Sequence, residues 1–202
     1  MIKNVIFDFG QVMIRFDPAY MVGCEAKDAE DAALLEAVVF DRLYWDPLDA
    51  GTITDEDAVA AMKTRLPARL HDVAERIYYG WIYRIPEIDG MRDLVRRLRE
   101  DYGLRTFLLS NISAYFAKHS SEIPCLTEFD TCFFSAVLGM TKPNREIYEH
   151  LCTSMGINKE ECLFIDDSPL NIRGAEAYGI KGYLFDGDVV RLSTYLAKLL
   201  EE

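Results

Sequence analysis

Five short apolar runs are spaced along the chain, and segments with helical patterns separate most of them. The runs cover residues 4–9, 105–110, 132–137, 162–166 and 182–185. Apolar runs of this length are typical of parallel strands that are buried on both faces of a sheet. Between them, residues such as Met91, Leu94 and Val95 follow the i, i+3, i+4 spacing of an amphipathic helix. The alternation predicts an α/β protein with a Rossmann-like, doubly wound parallel sheet.

The segment 16–85 breaks this alternation, because it contains no convincing strand. It shows instead three helical patterns, at residues 31–40, 55–66 and 73–83. Thr54 is placed as the N-cap of the second pattern, with Asp57 three residues later as in a weak capping box. A crossover between parallel strands needs only about a dozen residues, so this segment is an insertion. We expect a core domain of residues 1–15 and 86–202, with a helical cap domain of residues 16–85 over the carboxyl edge of the sheet.

The overall charge narrows the range of partners. The 202 residues carry a formal net charge of -12 at pH 7. A field of this sign repels nucleic acid and anionic lipid surfaces, and no run approaches the ~18 consecutive apolar residues of a membrane helix. We therefore expect no nucleic-acid or membrane partner, and a monomer or weak homodimer. An anionic small molecule is compatible with this charge only where a lysine or a metal ion offsets it.

The cysteines and the N-terminus give an expectation about the compartment. The five cysteines include no CxxC pair, which favours reduced thiols. The N-terminus leads directly into an apolar run, without the charged and apolar regions of a signal peptide. Both features predict a cytoplasmic protein.

Polar residues follow four of the predicted strands, at or shortly after the point where each strand ends. They are Asp8, the pair Ser110 and Asn111, Lys142, and the pair Asp166 and Asp167. Ligands of open α/β sheets bind outside the carboxyl ends of the strands, so these groups are expected to meet at one edge. Converging carboxylates are costly unless they bind a cation, and an oxygen-only set suits Mg²⁺. An aspartate beside Mg²⁺ and facing a phosphate is placed to attack phosphorus and form an aspartyl phosphate.

Four motifs, in chain order, carry a resemblance to a known family. They are "FDFGQV" around Asp8, "LLSN" ending in Ser110 and Asn111, "GMTKPNREIYEHL" with Lys142, and "CLFIDDSPLNIRGAEAYGI" with Asp166 and Asp167. With these motifs the chain resembles the haloacid dehalogenase superfamily, in its phosphatase-type branch with a helical cap of the C1 type after the first strand (subfamily IA-like). Within that branch it looks most like the bacterial α-D-glucose-1-phosphate phosphatases, whose first motif also has a glycine two places after the nucleophile.

The resemblance implies a magnesium site. Asp8 would be both the nucleophile and a Mg²⁺ ligand, and the backbone carbonyl of Gly10 would be a second ligand. Asp167 is implied as the carboxylate that holds the metal, with Asp166 as an auxiliary carboxylate.

The resemblance also implies how the phosphoryl group is held. Lys142 would act together with Asp8 in catalysis, and Lys142, Ser110 and Asn111 would cradle the transferring group. The implied activity is Mg²⁺-dependent hydrolysis of a small phosphorylated metabolite through an aspartyl phosphate on Asp8.

Gly10 departs from the pattern of most phosphatases of this group, which have a second aspartate at this position. That aspartate protonates the leaving oxygen and later activates water, and general acid–base catalysis is typically worth about 10²- to 10⁴-fold. Without it, a good leaving group is favoured. An anomeric hydroxyl is more acidic than an ordinary sugar hydroxyl, so Gly10 favours a sugar phosphate such as a hexose 1-phosphate.

Two other functions fit parts of the pattern. A halide needs no proton to leave, so Gly10 alone also fits a metal-independent haloacid dehalogenase, although such a site has no use for Asp166 and Asp167 beside Asp8. A non-catalytic binding protein with the same fold is the second alternative, and Gly10 is its only support. A phosphomutase is disfavoured, because its reaction depends on the acid–base residue that Gly10 lacks.

Overall fold

The centre of the molecule is a parallel sheet of five strands, in a computed structural model that describes residues 1–201. The strands are β1 (Asn4–Phe7), β2 (Arg105–Ser110), β3 (Thr131–Phe134), β4 (Cys162–Asp166) and β5 (Lys181–Leu184). Their order in the sheet is β3-β2-β1-β4-β5, and each neighbouring pair is parallel. The predicted α/β, doubly wound fold class is confirmed.

Helices follow each strand. They are α1 (Pro18–Gly23), α2 (Ala29–Val39), α3 (Arg42–Asp49), α4 (Asp55–Thr64), α5 (His71–Gly80), α6 (Met91–Glu100), α7 (Ala114–His119), α8 (Ser135–Leu138), α9 (Arg145–Met155), α10 (Pro169–Tyr178) and α11 (Val189–Glu201). None of them, within residues 1–201, is long and apolar enough to cross a membrane.

Helices cover both faces of the sheet. Because successive side chains of a strand point to opposite faces, neighbouring residues of one strand pack against different helices. Val5 and Phe7 of β1 belong to a hydrophobic cluster that includes buried residues of α6 and α11. Ile6, between them, belongs to a second cluster with buried residues of α9 and α10. The strands therefore need apolar residues at consecutive positions, which is the pattern of the apolar runs.

Two strand predictions were too long at their carboxyl ends. The first strand ends at Phe7 rather than at residue 9, and the third ends at Phe134, with α8 occupying residues 135–138. The prediction was therefore wrong for residues 135–137. The hydroxyl of Ser135 accepts a hydrogen bond from the Ile112 N–H at 2.8 Å, so this serine pairs with the loop after β2 rather than continuing the strand.

The span of residues 16–85 contains five α-helices, α1 to α5, two short 3₁₀ helices and no strand. Buried side chains from these helices form a third cluster, which includes Val22, Leu35, Leu48, Met62 and Ile77. The predicted N-cap of α4 is confirmed, since Thr54 accepts a hydrogen bond from the Asp57 N–H at 3.0 Å.

The chain enters and leaves this span through neighbouring segments. The Arg15 N–H donates to the Pro86 carbonyl, and the Ile88 N–H donates to the Met13 carbonyl, each at 2.9 Å. These contacts fasten the two ends of the helical span to each other beside the sheet.

Candidate active site

Asp8 lies at the carboxyl end of the central strand, β1. Its N–H donates to the Ile165 carbonyl at 2.9 Å, which continues the pairing of β1 with β4 by one residue. The residue is buried, with 8% of its surface exposed. Topology thus brings Asp8 beside the carboxyl ends of β2 and β4, which flank β1 in the sheet.

Lys142 connects Asp8 to the end of β4. Its ammonium group donates to Asp8 Oδ1 at 2.6 Å and to Asp166 Oδ2 at 2.8 Å, and its side chain is only 1% exposed. The side chain of Asn111 holds the Lys142 backbone through two hydrogen bonds, one to the carbonyl at 2.9 Å and one from the N–H at 2.8 Å. Asn111, expected to cradle a phosphoryl group, therefore uses its amide side chain to position the lysine.

Asp166 is completely buried and heavily hydrogen-bonded. In addition to Lys142, it accepts from the Ser168 N–H at 2.8 Å and from Asn171 Nδ2 at 3.1 and 3.0 Å. Its oxygens are thus engaged by fixed donors. The neighbouring Asp167 is exposed and lines the cavity described below, so it is the more accessible of the two carboxylates.

Three carboxylates converge at this edge. Asp8, Asp166 and Asp167 each offer an oxygen atom, and these oxygens lie within 4.8 Å of one another. Set against the single ammonium group of Lys142, three carboxylates leave an excess of two negative charges. Hard oxygen donors with that excess charge fit a divalent cation such as Mg²⁺.

Burial and charge shift the pKa values of this cluster. Burial raises the pKa of Asp8 to about 7, with Lys142 opposing the shift and Asp166 adding to it. Partial desolvation beside the sheet edge, followed by the charge of Asp166, raises the pKa of Asp167, although its side chain still reaches solvent. Burial acts to lower the pKa of Lys142, but the charges of Asp8 and Asp166 outweigh it and the net shift is upward. Lys142 therefore stays charged. The repulsion between the carboxylates disfavours their ionised forms and so raises the pKa values of Asp8 and Asp167.

Gly10 lies in the turn that follows Asp8 and lines the cavity described in the next paragraph. The next residue, Gln11, adopts a left-handed backbone with φ of 56°. A Cβ placed on Gly10 would meet nothing within 4 Å. The space that a side chain would need is therefore open at this position.

A cavity of about 410 Å³ lies between the sheet edge and the helical span. The predicted site residues that line it are Asp8, Gly10, Ser110, Asn111, Lys142 and Asp167. From the helical span come Phe16, Arg42, Trp45, Asp49 and Trp81. The structure thus brings the predicted residues together around one cavity, with Asp166 held beneath it by Lys142.

Two residues of α3, Arg42 and Asp49, line this cavity without having been identified from the sequence. Asp49 is buried, with 8% of its surface exposed, and its Oδ1 atom has no hydrogen-bond partner among residues 1–201. The sequence offers little indication of a role for Asp49, because an acidic residue between Leu48 and Ala50 is typical of any polar position on an amphipathic helix. Asn171 likewise gains a definite contact, with Asp166, that its position in the motif did not specify.

Comparison with known proteins places the chain among hydrolases. Residues 2–179 match the model of the family described as haloacid dehalogenase-like hydrolase. The chain is 26% identical over 192 residues to a D-ribitol-5-phosphate phosphatase of Bacteroides thetaiotaomicron, covering 91% of each protein. It is 25% identical over 181 residues to a sesquiterpene phosphatase of Aspergillus oryzae, covering 89% of this chain and 88% of that protein.

A solved structure shares the fold. It is a haloacid dehalogenase family enzyme from Bacteroides thetaiotaomicron in complex with magnesium and inorganic phosphate, with a TM-score of 0.69 at 23% identity, and the match covers 95% of this chain and 99% of that one. The structural match extends over nearly the whole chain, and the family match covers residues 2–179. The chain belongs to the haloacid dehalogenase-like hydrolase family.

Proposed function

We propose that the protein is a Mg²⁺-dependent phosphomonoester hydrolase that forms an aspartyl phosphate on Asp8. The observation that carries this proposal is the convergence of three carboxylates within 4.8 Å around one buried lysine. The phosphatase names of the two curated relatives, and the magnesium and phosphate in the solved relative, support the same activity.

Three groups would hold the metal ion in this proposal. Asp8 and Asp167 would each contribute a carboxylate oxygen, and Gly10 its backbone carbonyl. Asp166, whose oxygens are engaged by Lys142, Ser168 and Asn171, would act as the auxiliary carboxylate that fixes the lysine. Bound Mg²⁺ supplies positive charge to the phosphoryl oxygens in such a site.

The residues of the chain itself position the reaction. Lys142 holds Asp8 through a 2.6 Å hydrogen bond and would neutralise a phosphoryl oxygen as well. Ser110, at the end of β2, would donate to another phosphoryl oxygen. Asn111 would act mainly by fixing the Lys142 backbone. Pre-positioned donors of this kind stabilise the developing charge at little cost in reorganisation.

We further propose that residues 1–15 and 86–202 form the catalytic core and that residues 16–85 form a cap that selects the substrate. The cap contributes Phe16, Trp45 and Trp81, together with the cationic Arg42, to the cavity. An aromatic wall beside polar groups suits a small phosphorylated metabolite of the sugar or polyol class. A hexose 1-phosphate is the narrower candidate, on the leaving-group argument from Gly10.

The test is a phosphate-release screen with Mg²⁺ across sugar phosphates, polyol phosphates, nucleotides and an aryl phosphate, with a haloacid as a separate substrate. Release that disappears in Asp8→Asn supports the proposal. Asp93→Asn is the matched control, because it makes the same change at an exposed position on α6 outside the cavity. Metal-independent halide release would instead establish the dehalogenase alternative.

A further inference from the structure

We propose that Asp49, on helix α3 of the cap, is the general acid and base that Gly10 cannot supply. This inference rests on the proposed phosphatase function and adds a catalytic residue to it. It also changes the expected dependence of the reaction on the leaving group.

Asp49 combines burial with an unsatisfied polar atom. It is 8% exposed, and its Oδ1 atom has no hydrogen-bond partner among residues 1–201. A buried carboxyl oxygen without a partner costs free energy in the isolated protein. Asp49 lines the same cavity as Asp8 and Gly10, so an oxygen of the substrate that enters this cavity is a suitable partner.

The chain immediately after Asp49 is seated against the core. Gly51 has a left-handed backbone with φ of +68°, and a Cβ on it would lie 2.3 Å from the carbonyl oxygen of Ala136 in α8. Only glycine allows this approach. The C-terminal end of α3 therefore packs closely against α8. This contact restricts the position of Asp49 relative to the sheet edge.

The surroundings of Asp49 set its ionisation. Burial raises the pKa of this carboxyl to about 7. The charged groups that act on it are Arg42 and Asp46 on its own helix and Lys142 and Asp8 from the core, of which Arg42 and Lys142 lower its pKa and the two carboxylates raise it. A carboxyl with a pKa near neutrality exists in both forms at working pH, as a group that gives and takes protons must.

The proton balance closes over two steps. In the first, an Asp8 carboxylate oxygen bonds to phosphorus, the bond between phosphorus and the leaving oxygen breaks, and that oxygen takes its electron pair and the proton of Asp49. In the second, a water oxygen bonds to phosphorus and gives its proton to the Asp49 carboxylate. The bond between phosphorus and Asp8 breaks, its electron pair returns to Asp8, and Asp49 is again protonated.

The inference predicts a leaving-group dependence opposite to the one expected from Gly10 alone. With no proton donor, rates rise steeply as the leaving group becomes more acidic. With Asp49 donating, the wild-type series is shallow, and alkyl phosphates of sugars and polyols become good substrates alongside 1-phosphates. Asp49→Asn is then expected to restore the steep series.

The experiment measures kcat and the first-turnover burst for a series of aryl and alkyl phosphates, with wild type, Asp49→Asn and Asp57→Asn. We expect Asp49→Asn to lose about 10²- to 10⁴-fold in kcat with alkyl phosphates. With a nitrophenyl phosphate it should keep a full burst and then turn over slowly, because the second step has lost its base. Asp57→Asn, at an exposed position on α4 that does not line the cavity, is expected to keep the wild-type pattern.

Other outcomes contradict the inference. A wild-type series that is already steep, with a parallel series in Asp49→Asn, would mean that Asp49 moves no proton. An equal loss of the burst and of turnover for every substrate in Asp49→Asn would mean that its role is structural. If Asp8→Asn is inactive in either case, the proposed function stands and only the assignment of Asp49 fails, whereas a wild type that releases no phosphate from any substrate removes both.

Discussion

Lys142 is a buried cation held between two carboxylates, and its removal leaves both without a partner. The ammonium group lies 2.6 Å from Asp8 and 2.8 Å from Asp166. Breaking a buried ion pair by removing one partner typically costs about 3–5 kcal/mol. We expect Lys142→Met to lose free energy of unfolding on this scale in the absence of metal, as measured by denaturant titration.

Magnesium should recover part of that loss. A divalent ion bound to the carboxylates replaces some of the missing positive charge, so Mg²⁺ is expected to stabilise Lys142→Met more than it stabilises wild type. Lys3→Met is the control, because its ion pair with Glu161 is largely exposed and is worth about 1 kcal/mol or less. Equal stabilisation of Lys142→Met and wild type by Mg²⁺ would argue against metal binding at these carboxylates.

Asp49 gives a pH dependence of stability with a definite sign. Its pKa is about 7 in the folded protein, above its ordinary value of 3.8, so the folded state holds this proton more tightly than the unfolded state. Stability is then highest below about pH 4 with respect to this group and falls as pH rises to about 7, by about 1.4 kcal/mol for each unit of pKa difference.

The Asp49→Asn variant should lose this contribution. We expect its free energy of unfolding, measured by urea titration across the same pH window, to fall less steeply with pH than that of wild type. Asp57→Asn, at an exposed position on α4, should follow the wild-type slope. Parallel slopes for wild type and Asp49→Asn would show that Asp49 ionises normally in the folded protein.

The strands could be predicted from the sequence, while one element beside the site could not. Parallel strands covered on both faces leave uninterrupted apolar runs, and β1, β2 and β4 were found in this way. Helix α3 (Arg42–Asp49) was missed, because it is short and contains Pro47, which lacks the N–H of a helical hydrogen bond. Its stability comes from tertiary packing, in which Tyr44 and Leu48 are buried.

The contact between α3 and α8 is testable through two glycines with similar backbones. Gly51 and Gly103 have φ of +68° and +64°, but only Gly51 faces a close atom, the carbonyl of Ala136. In both, alanine adds left-handed strain of roughly 1–2 kcal/mol. We expect Gly51→Ala to lose additional stability and to lower kcat by moving Asp49, while Gly103→Ala keeps its kcat.

Unfolding titrations and steady-state kinetics of the two variants provide the comparison. If Gly51→Ala and Gly103→Ala lose the same stability and keep the same kcat, the close approach at Ala136 has no functional consequence. The position of α3 would then be unimportant for turnover.

At the scale of the whole molecule, topology explains which site residues could be anticipated. Asp8, Ser110 and Asp166 stand at or just after the carboxyl ends of three adjacent parallel strands, and any sheet of this order brings them together. Asp49 comes from the helical span, whose placement over the sheet depends on tertiary contacts such as Gly51 against Ala136. No sequence periodicity encodes those contacts, so this part of the cavity required the structure.

The whole-molecule charge and the local site point to the same chemistry. A chain with a net charge of -12 repels an anionic substrate at long range, and the cluster of Asp8, Asp166 and Asp167 would add to that repulsion. A bound divalent ion reverses the sign locally. We expect phosphate release to be lost on chelation of divalent metal and restored by Mg²⁺, whereas activity that persists in the presence of chelator would exclude a metal role.

The central claim is that Asp8 attacks phosphorus and that water then attacks the same phosphorus. A single turnover with Mg²⁺ and a phosphate ester in ¹⁸O-labelled water tests it, with mass spectrometry of the released phosphate and of the peptide that contains Asp8. We predict a phosphoryl group on that peptide after acid quenching, label in the released phosphate, and no label in the Asp8 carboxylate. If water attacked the carboxyl carbon instead, the label would appear in the Asp8 carboxylate, and this result would contradict the claim. Phosphate release that persists in Asp8→Asn would contradict it as well.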